Sequence, residues 1–220
     1  MKKTVVEYLE ILWGGIALRR WNAEMREILA VQTDRPRLLL HACCAPCSSS
    51  VVERLAPHFD LTVYFYNPNI APPEEYRRRA EEERRFLAQR GIPLIEEPYS
   101  PQDFAPLAAR FGDEPERGAR CRACYALRLF RAAEFARANG FPWLCSTLSV
   151  SPHKNADWVN ELGEEAAGRA GVRWLPSDFK KENGYLRSLA LSKEYGLYRQ
   201  SWCGCEFSYR ESLKRAEKEG

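Results

Sequence analysis

Seven of the eight cysteines in this 220-residue chain fall into three tight groups spread along the sequence. Cys43, Cys44 and Cys47 sit in HACCAPCSSS, Cys121 and Cys124 in CRACYALRL, and Cys203 and Cys205 in YRQSWCGCEFS. Within a group, the short spacing lets neighbouring thiolates reach one metal centre without closing a long loop. The three groups meet only if the tertiary fold carries them together. Seven thiolates exceed one four-ligand site. They suffice for a four-cysteine iron–sulfur cluster beside a second, three-cysteine metal with an open position.

Two blander readings compete. Disulfides are disfavoured because Cys43 and Cys44 are adjacent and Cys203 and Cys205 are one residue apart, poor geometries for bridging within a group. Disulfide scaffolds are also usually much smaller than this chain, so a reducing cytoplasm fits better. A pair of zinc sites that only staple loops would leave one site short of four ligands. His41 could complete it, but His41 ends an apolar run and reads as a hydrogen-bonded core histidine. Cys145, inside PWLCSTLSV, reads as a buried small hydrophobe.

The rest of the chain patterns as strands alternating with helices. Residues 3–32 carry apolar positions at helical spacing, with a break at Gly14 and Gly15. Residues 38–40 form an apolar run suited to a buried parallel strand, and CCAPCSSSVVERLAPH then reads as a turn opening a helix. LTVYFYNPNI is a second strand ending in a loop, followed by a helix that Pro72 and Pro73 open and Gly91 ends. PLIEE is a third strand, residues 101–111 a short helix, and FGDEPERGARC a loop delivering Cys121. CYALRLFRAAEFARANG is a strong helix, PWLCSTLSVSP a fourth strand and turn, HKNADWVNELGEEAAGRAG a helix and VRWLP a fifth strand. This alternation predicts a parallel α/β sheet. Ligand sites in such sheets lie beyond the strand C-termini, where residues 43–47, 67–69 and 149–155 all fall.

At this length one core suffices, so a single domain is expected over residues 1–220, with residues 1–34 a helical segment packed on it. No apolar run reaches the roughly 18–20 residues of a membrane span. Glu7 and Glu10 interrupt the N-terminal apolar stretch, which argues against a signal peptide. The net charge of +3 permits a nucleic-acid partner without demanding one.

LLLHACCAPCS, YFYNPNI followed by EEYRRR, CRACYALRL, STLSVSPHKN and YLRSLALSKEYGLYRQSWCGCEFS run in that order from about residue 37 to about residue 210. Together they resemble the cobalamin-independent epoxyqueuosine reductases. The resemblance implies reduction of the epoxide of epoxyqueuosine to the alkene of queuosine at the tRNA wobble position. It also implies a [4Fe-4S] cluster beside a second, mononuclear metal ion. By position, Cys43, Cys44, Cys121 and Cys124 resemble the cluster ligands, and Cys47, Cys203 and Cys205 the ligands of the second metal. Some members carry aspartate at the position of Cys47. The thiolate makes a softer site, open to iron or zinc. The expected partners are tRNA carrying epoxyqueuosine and an external electron donor, in the cytoplasm, with no membrane.

The implied fold is a Rossmann-like parallel sheet of the adenine-nucleotide-hydrolase-like (HUP) group, with extra helices. In that group the first strand leads into a phosphate loop. Here the loop is ACCAPCSSS, whose thiolates replace a Gly-rich anion cradle. An ATP-dependent tRNA-modifying enzyme is therefore the lower-ranked enzymatic alternative, and a zinc-stapled tRNA-binding module the non-enzymatic one. For substrate contacts, Asn67 and Asn69 could read polar base edges. Lys154, Lys180, Lys181, Arg187 and Arg199 are expected at phosphates, with Tyr198 as a stacking surface. The basic run Arg77, Arg78 and Arg79 reads equally as a solvated helix face. His153 and Tyr125 are the candidate proton donors.

Overall fold

The computed structural model describes residues 19–219. The N-terminal segment and its break at Gly14 and Gly15 lie, up to residue 18, outside the described residues. Beyond it, helix α1 (Trp21–Val31) buries Trp21, Met25 and Leu29, one residue per turn along a single face.

Five strands make one parallel sheet: β1 (Arg37–His41), β2 (Asp60–Phe65), β3 (Leu94–Glu96), β4 (Trp143–Ser146) and β5 (Arg173–Trp174). They lie in the order β3-β2-β1-β4-β5. β1 pairs with β2 from Arg37↔Asp60 to His41↔Tyr64, and with β4 from Leu38↔Trp143 to His41↔Ser146. Both faces are covered, which is why the β1 run is apolar without alternation. Leu38 and Leu40 pack with residues of α1, α2 (Ala45–Leu55) and α3 (Pro73–Ala88). Leu39 points to the other face and packs with α5 (Ala119–Ala138) and α6 (Ala156–Ala170). Helix α4 (Pro101–Phe111) lies against α5, and α7 (Gly184–Glu194) against α2. The last helix is α8 (Glu206–Glu219).

After β1 the chain builds outward through β2 to β3, then returns to place β4 on the other side of β1. The order therefore reverses between β1 and β4, and the crevice beyond their C-terminal ends is the topological switch point. The CCxxC group leaves β1 there.

One local expectation changes and another holds. Cys121 is not carried by a loop: α5 begins at Ala119, so Cys121 and Cys124 sit one turn apart on the same helix face. The fourth strand stops at Ser146, because the Ser146 hydroxyl accepts from the Leu148 amide and caps a 3₁₀ turn over Thr147–Val150. Asn155 caps α6 by accepting from the Asp157 and Trp158 amides, and Gly171 ends it at φ +72°.

Candidate metal centre

Chain geometry explains how two adjacent cysteines face the same way. A regular strand would send Cys43 and Cys44 to opposite faces. Instead the chain leaves β1 at His41, and Cys44 becomes the extended N-cap of α2. The Cys44 carbonyl accepts from the amides of Cys47 and Ser48, and Pro46 occupies the first turn, where its missing N–H is not needed. The sulfurs of Cys43, Cys44 and Cys47 all lie within 4.8 Å of one another. His41 is fully buried, with Nε2 on the Tyr66 carbonyl and Nδ1 on the Ser146 hydroxyl. Both ring nitrogens are occupied, and burial together with Arg128 pushes its pKa down to about 3. It is therefore a neutral core residue that anchors the end of β1 to β4.

The third group needs its glycine. Gly204, between Cys203 and Cys205, has φ +131°. A Cβ there would meet Arg79 Nη1 at 3.0 Å and Ile70 Cγ1 at 3.1 Å. Arg79 donates from Nη1 to the Cys203 carbonyl and from Nη2 to that of Trp202. Its Nε is paired with buried Glu75 at 2.6 Å. This guanidinium holds the Cys-Gly-Cys backbone in place.

All eight cysteines are free thiols. Cys121, Cys124, Cys203 and Cys205 line one small void, with Asn69 and Arg120 in its wall. Cys47, Cys121 and Cys203 line an adjoining cleft of about 170 Å³, open to solvent, with Lys154, Arg199 and Trp202. The three sequence groups therefore converge on one region. Within that region Cys47 lies beside Cys43 and Cys44 and also shares the cleft with Cys203, while Cys203 and Cys205 share the void with the helix α5 pair.

Electrostatics favours an anionic centre here. Within the CCxxC group, hydrogen bonds from Cys44 and Cys47 hold the Cys43 thiol well below its ordinary pKa. The same sharing pushes Cys47 up to about 12. Burial pushes Cys124 up to about 12 and raises Cys121 and Cys205. Arg128 and Lys154 are nine-tenths or more buried; Arg128 donates to the Cys124 carbonyl and to Asn67, and neither cation has a carboxylate partner among the described residues. Burial alone would lower the Lys154 pKa, but Cys203, Cys43 and Cys47 reverse the shift, so the ammonium keeps its proton. Buried cations without carboxylates require another anion. The thiols supply it once a metal has displaced their protons. The donor set, the void and the surrounding cations thus fit a metal–thiolate centre.

The expected substrate residues divide. Lys154 and Arg199 line the cleft, as do Tyr125 and His153. Lys154 shares the cleft lining with Cys47, Cys121 and Cys203, and the charge of Cys203, Cys43 and Cys47 acts on its ammonium. Asn69 is buried, and its Oδ1 has no partner among the described residues. Asn67 is committed: its amide donates to the Ala42 carbonyl and its Oδ1 accepts from Arg128. Arg187 is forked onto Glu53 of α2. The Tyr198 hydroxyl donates to Glu75 and its ring is covered by Arg78 at 3.4 Å. These three have partners within the chain and do not line the cleft. His153 accepts from Arg117 through Nδ1.

Sequence reasoning missed the buried cations Arg79, Arg120 and Arg128. Arg128 had a legible signal, since it follows Cys124 by one helical turn and Cys121 by two. Glu83 was also missed. It is fully buried, neither oxygen has a hydrogen-bond partner among the described residues, and burial pushes its pKa up to about 8. Folded chains therefore hold this proton while unfolded chains release it near the ordinary carboxylate range. Stability should be complete below about pH 4.5, fall as pH rises toward 8, and level off above it. Glu83→Gln is expected to flatten that part of the curve, checked by urea midpoints across pH 5–9.

The profile of the family described as epoxyqueuosine reductase QueH matches residues 38–211. The chain belongs to this family. Among curated relatives bearing that name, the Staphylococcus aureus protein is 41% identical over 94% of this chain and 86% of its own length. The Staphylococcus epidermidis protein is 42% identical over 80% and 77%, and that of Thermotoga maritima 33% over 82% and 93%. The matched QueH region contains all seven grouped cysteines. Solved structures agree on the α/β fold. One is the U34-tRNA thiolase NcsA of Methanococcus maripaludis with its [4Fe-4S] cluster, at TM-score 0.55 and 13% identity, covering 92% of this chain and 74% of that one. Another, a predicted subunit of tRNA methyltransferase from Methanocaldococcus jannaschii, has TM-score 0.51 and 14% identity, covering 71% of this chain and 75% of that one.

Proposed function

We propose that this chain reduces epoxyqueuosine to queuosine in tRNA, using a [4Fe-4S] cluster and a second mononuclear metal. The convergence of three cysteine groups on one cleft at the sheet's switch point carries the reading. Cys43, Cys44, Cys121 and Cys124 hold the cluster, and Cys47, Cys203 and Cys205 hold the second ion, iron or zinc. When bound, these groups supply electrons one at a time and a Lewis-acidic position at the cleft.

The reaction takes two electrons and two protons and releases the epoxide oxygen as water. An external donor must supply both electrons, reloading the cluster between the two one-electron transfers of each turnover. The chain's own residues confine the modified base in the cleft and set a fixed positive charge, Lys154, near the thiolates where negative charge on oxygen develops. Tyr125 and His153 line the same cleft and are the titratable groups nearest to hand for protons. Arg199, held by the Ser192 hydroxyl, stands at the cleft for the tRNA backbone. A reducing cytoplasm suits eight free thiols, and among the described residues no helix is long and apolar enough to cross a membrane.

The test is purification without oxygen, with iron, acid-labile sulfide and zinc counted per chain. About four sulfides with four to five irons, followed by turnover of epoxyqueuosine-tRNA, is the expected result. Zinc alone, without sulfide, would remove the redox reading and leave a stapled tRNA-binding module.

A further inference from the structure

The segment between α7 and α8 does more than deliver Cys203 and Cys205. Its Gln200 side chain reaches across to the first cysteine group, with Nε2 3.0 Å from Cys44 Sγ. This is the only side-chain hydrogen bond of Gln200 among the described residues, and Gln200 also lines the cleft. Its Oε1 is buried and has no partner among the described residues. An orphaned buried carbonyl is unfavourable, because it has left water without a new donor. An amide kept only for structure would satisfy both ends. This one leaves its acceptor unsatisfied while its donor sits on sulfur.

We propose that Gln200 is a positioning residue that sets the reduction potential of the metal centre through an N–H···S bond to Cys44. The inference rests on the reading above that Cys44 binds the cluster. A metal-bound thiolate carries no proton, so it only accepts, and the amide must present Nε2 to it. Electron density on the cluster thiolates rises on reduction. A donor to sulfur therefore stabilises the reduced state more than the oxidised one and makes the potential less negative. The bond also joins the cluster ligand to the segment carrying the second metal's ligands, so the two centres are held in one register.

The experiment uses anaerobically purified, metal-loaded protein. Gln200→Leu and Gln200→Glu are compared with the parent by redox titration of the cluster's visible absorbance, with sulfide counted in each. Gln200→Leu removes the donor without adding charge, and its potential should move to more negative values at unchanged sulfide. Gln200→Glu has nearly the same shape, lacks the donor and adds a negative charge, so it should move further in the same direction. An unmoved potential in Gln200→Leu with sulfide retained overturns the proposal. If only Gln200→Leu loses sulfide, Gln200→Glu decides alone by the same criterion. Loss of sulfide from both makes Gln200 a structural strut and also overturns it. Absence of sulfide from the parent instead overturns the proposed function.

Discussion

Cys203→Ser is expected to keep the four acid-labile sulfides and the brown absorbance while losing the second metal and nearly all turnover. Serine is a harder, more weakly ionised ligand than cysteine, and an ion held by three thiolates has no ligand to spare. A Lewis-acid contribution of several kcal/mol, at 1.36 kcal/mol per tenfold, corresponds to about 10³-fold in rate. Cys44→Ser is the contrast, and should strip sulfide and colour together. Metal and sulfide counts on the two variants, before any assay, separate the two ways of dividing the thiols. If Cys203→Ser lost sulfide while Cys44→Ser kept it, the cluster would belong to Cys121, Cys124, Cys203 and Cys205, which share one void. The CCxxC trio, already within 4.8 Å, would then hold the single ion.

Lys154→Met should lower kcat by about 10²–10³, the scale of removing one preorganised donor from developing charge. Methionine fills similar space, so the buried position keeps its packing. The ammonium makes no hydrogen bond or ion pair with another side chain among the described residues and lines the cleft beside Cys47 and Cys203. Burial opposes its charge, and the charge of Cys203, Cys43 and Cys47 outweighs that and keeps the proton on. A group that keeps its proton so firmly acts as a fixed charge rather than as the proton donor. Single-turnover rates and tRNA affinity across a salt series distinguish this from phosphate binding. A fixed charge at the reaction centre changes kcat and leaves the salt slope alone. A phosphate contact would weaken binding and reduce the slope by about one.

Strand and helix placement was legible because β1 is uninterrupted in its apolar run, and because Asn139 with Gly140 and Gly171 stop their helices with the backbone freedom glycine provides. The seven cysteines were legible for a different reason. Thiol pairs one to three residues apart have few uses besides sharing a metal, and seven are more than one four-ligand site takes. His41 and Cys145 could be set aside from their apolar contexts, and both lie fully buried.

What surrounds the thiols was not legible. Arg77, Arg78 and Arg79 are identical in sequence, yet Arg77 pairs with Glu74 at the surface, Arg78 covers Tyr198, and Arg79 is buried on the Cys-Gly-Cys carbonyls. Helical rotation separates their directions, but only the packing of α3 against the segment over residues 202–204 decides which direction is inward. Asn67 and Asn69 share a loop, and the fold commits one to Arg128 and leaves the other at the void. Gln200 carried no signal at all, since its partner lies 156 positions away. The sequence by itself determined the elements, the parallel sheet and the seven candidate metal-binding thiols, because these depend on local periodicity and on the chemistry of sulfur. The tertiary structure alone decided which thiols are neighbours, which cations are buried beside them and which amide reaches sulfur. Those depend on the reversal of strand order between β1 and β4, which brings segments distant in the chain to one crevice.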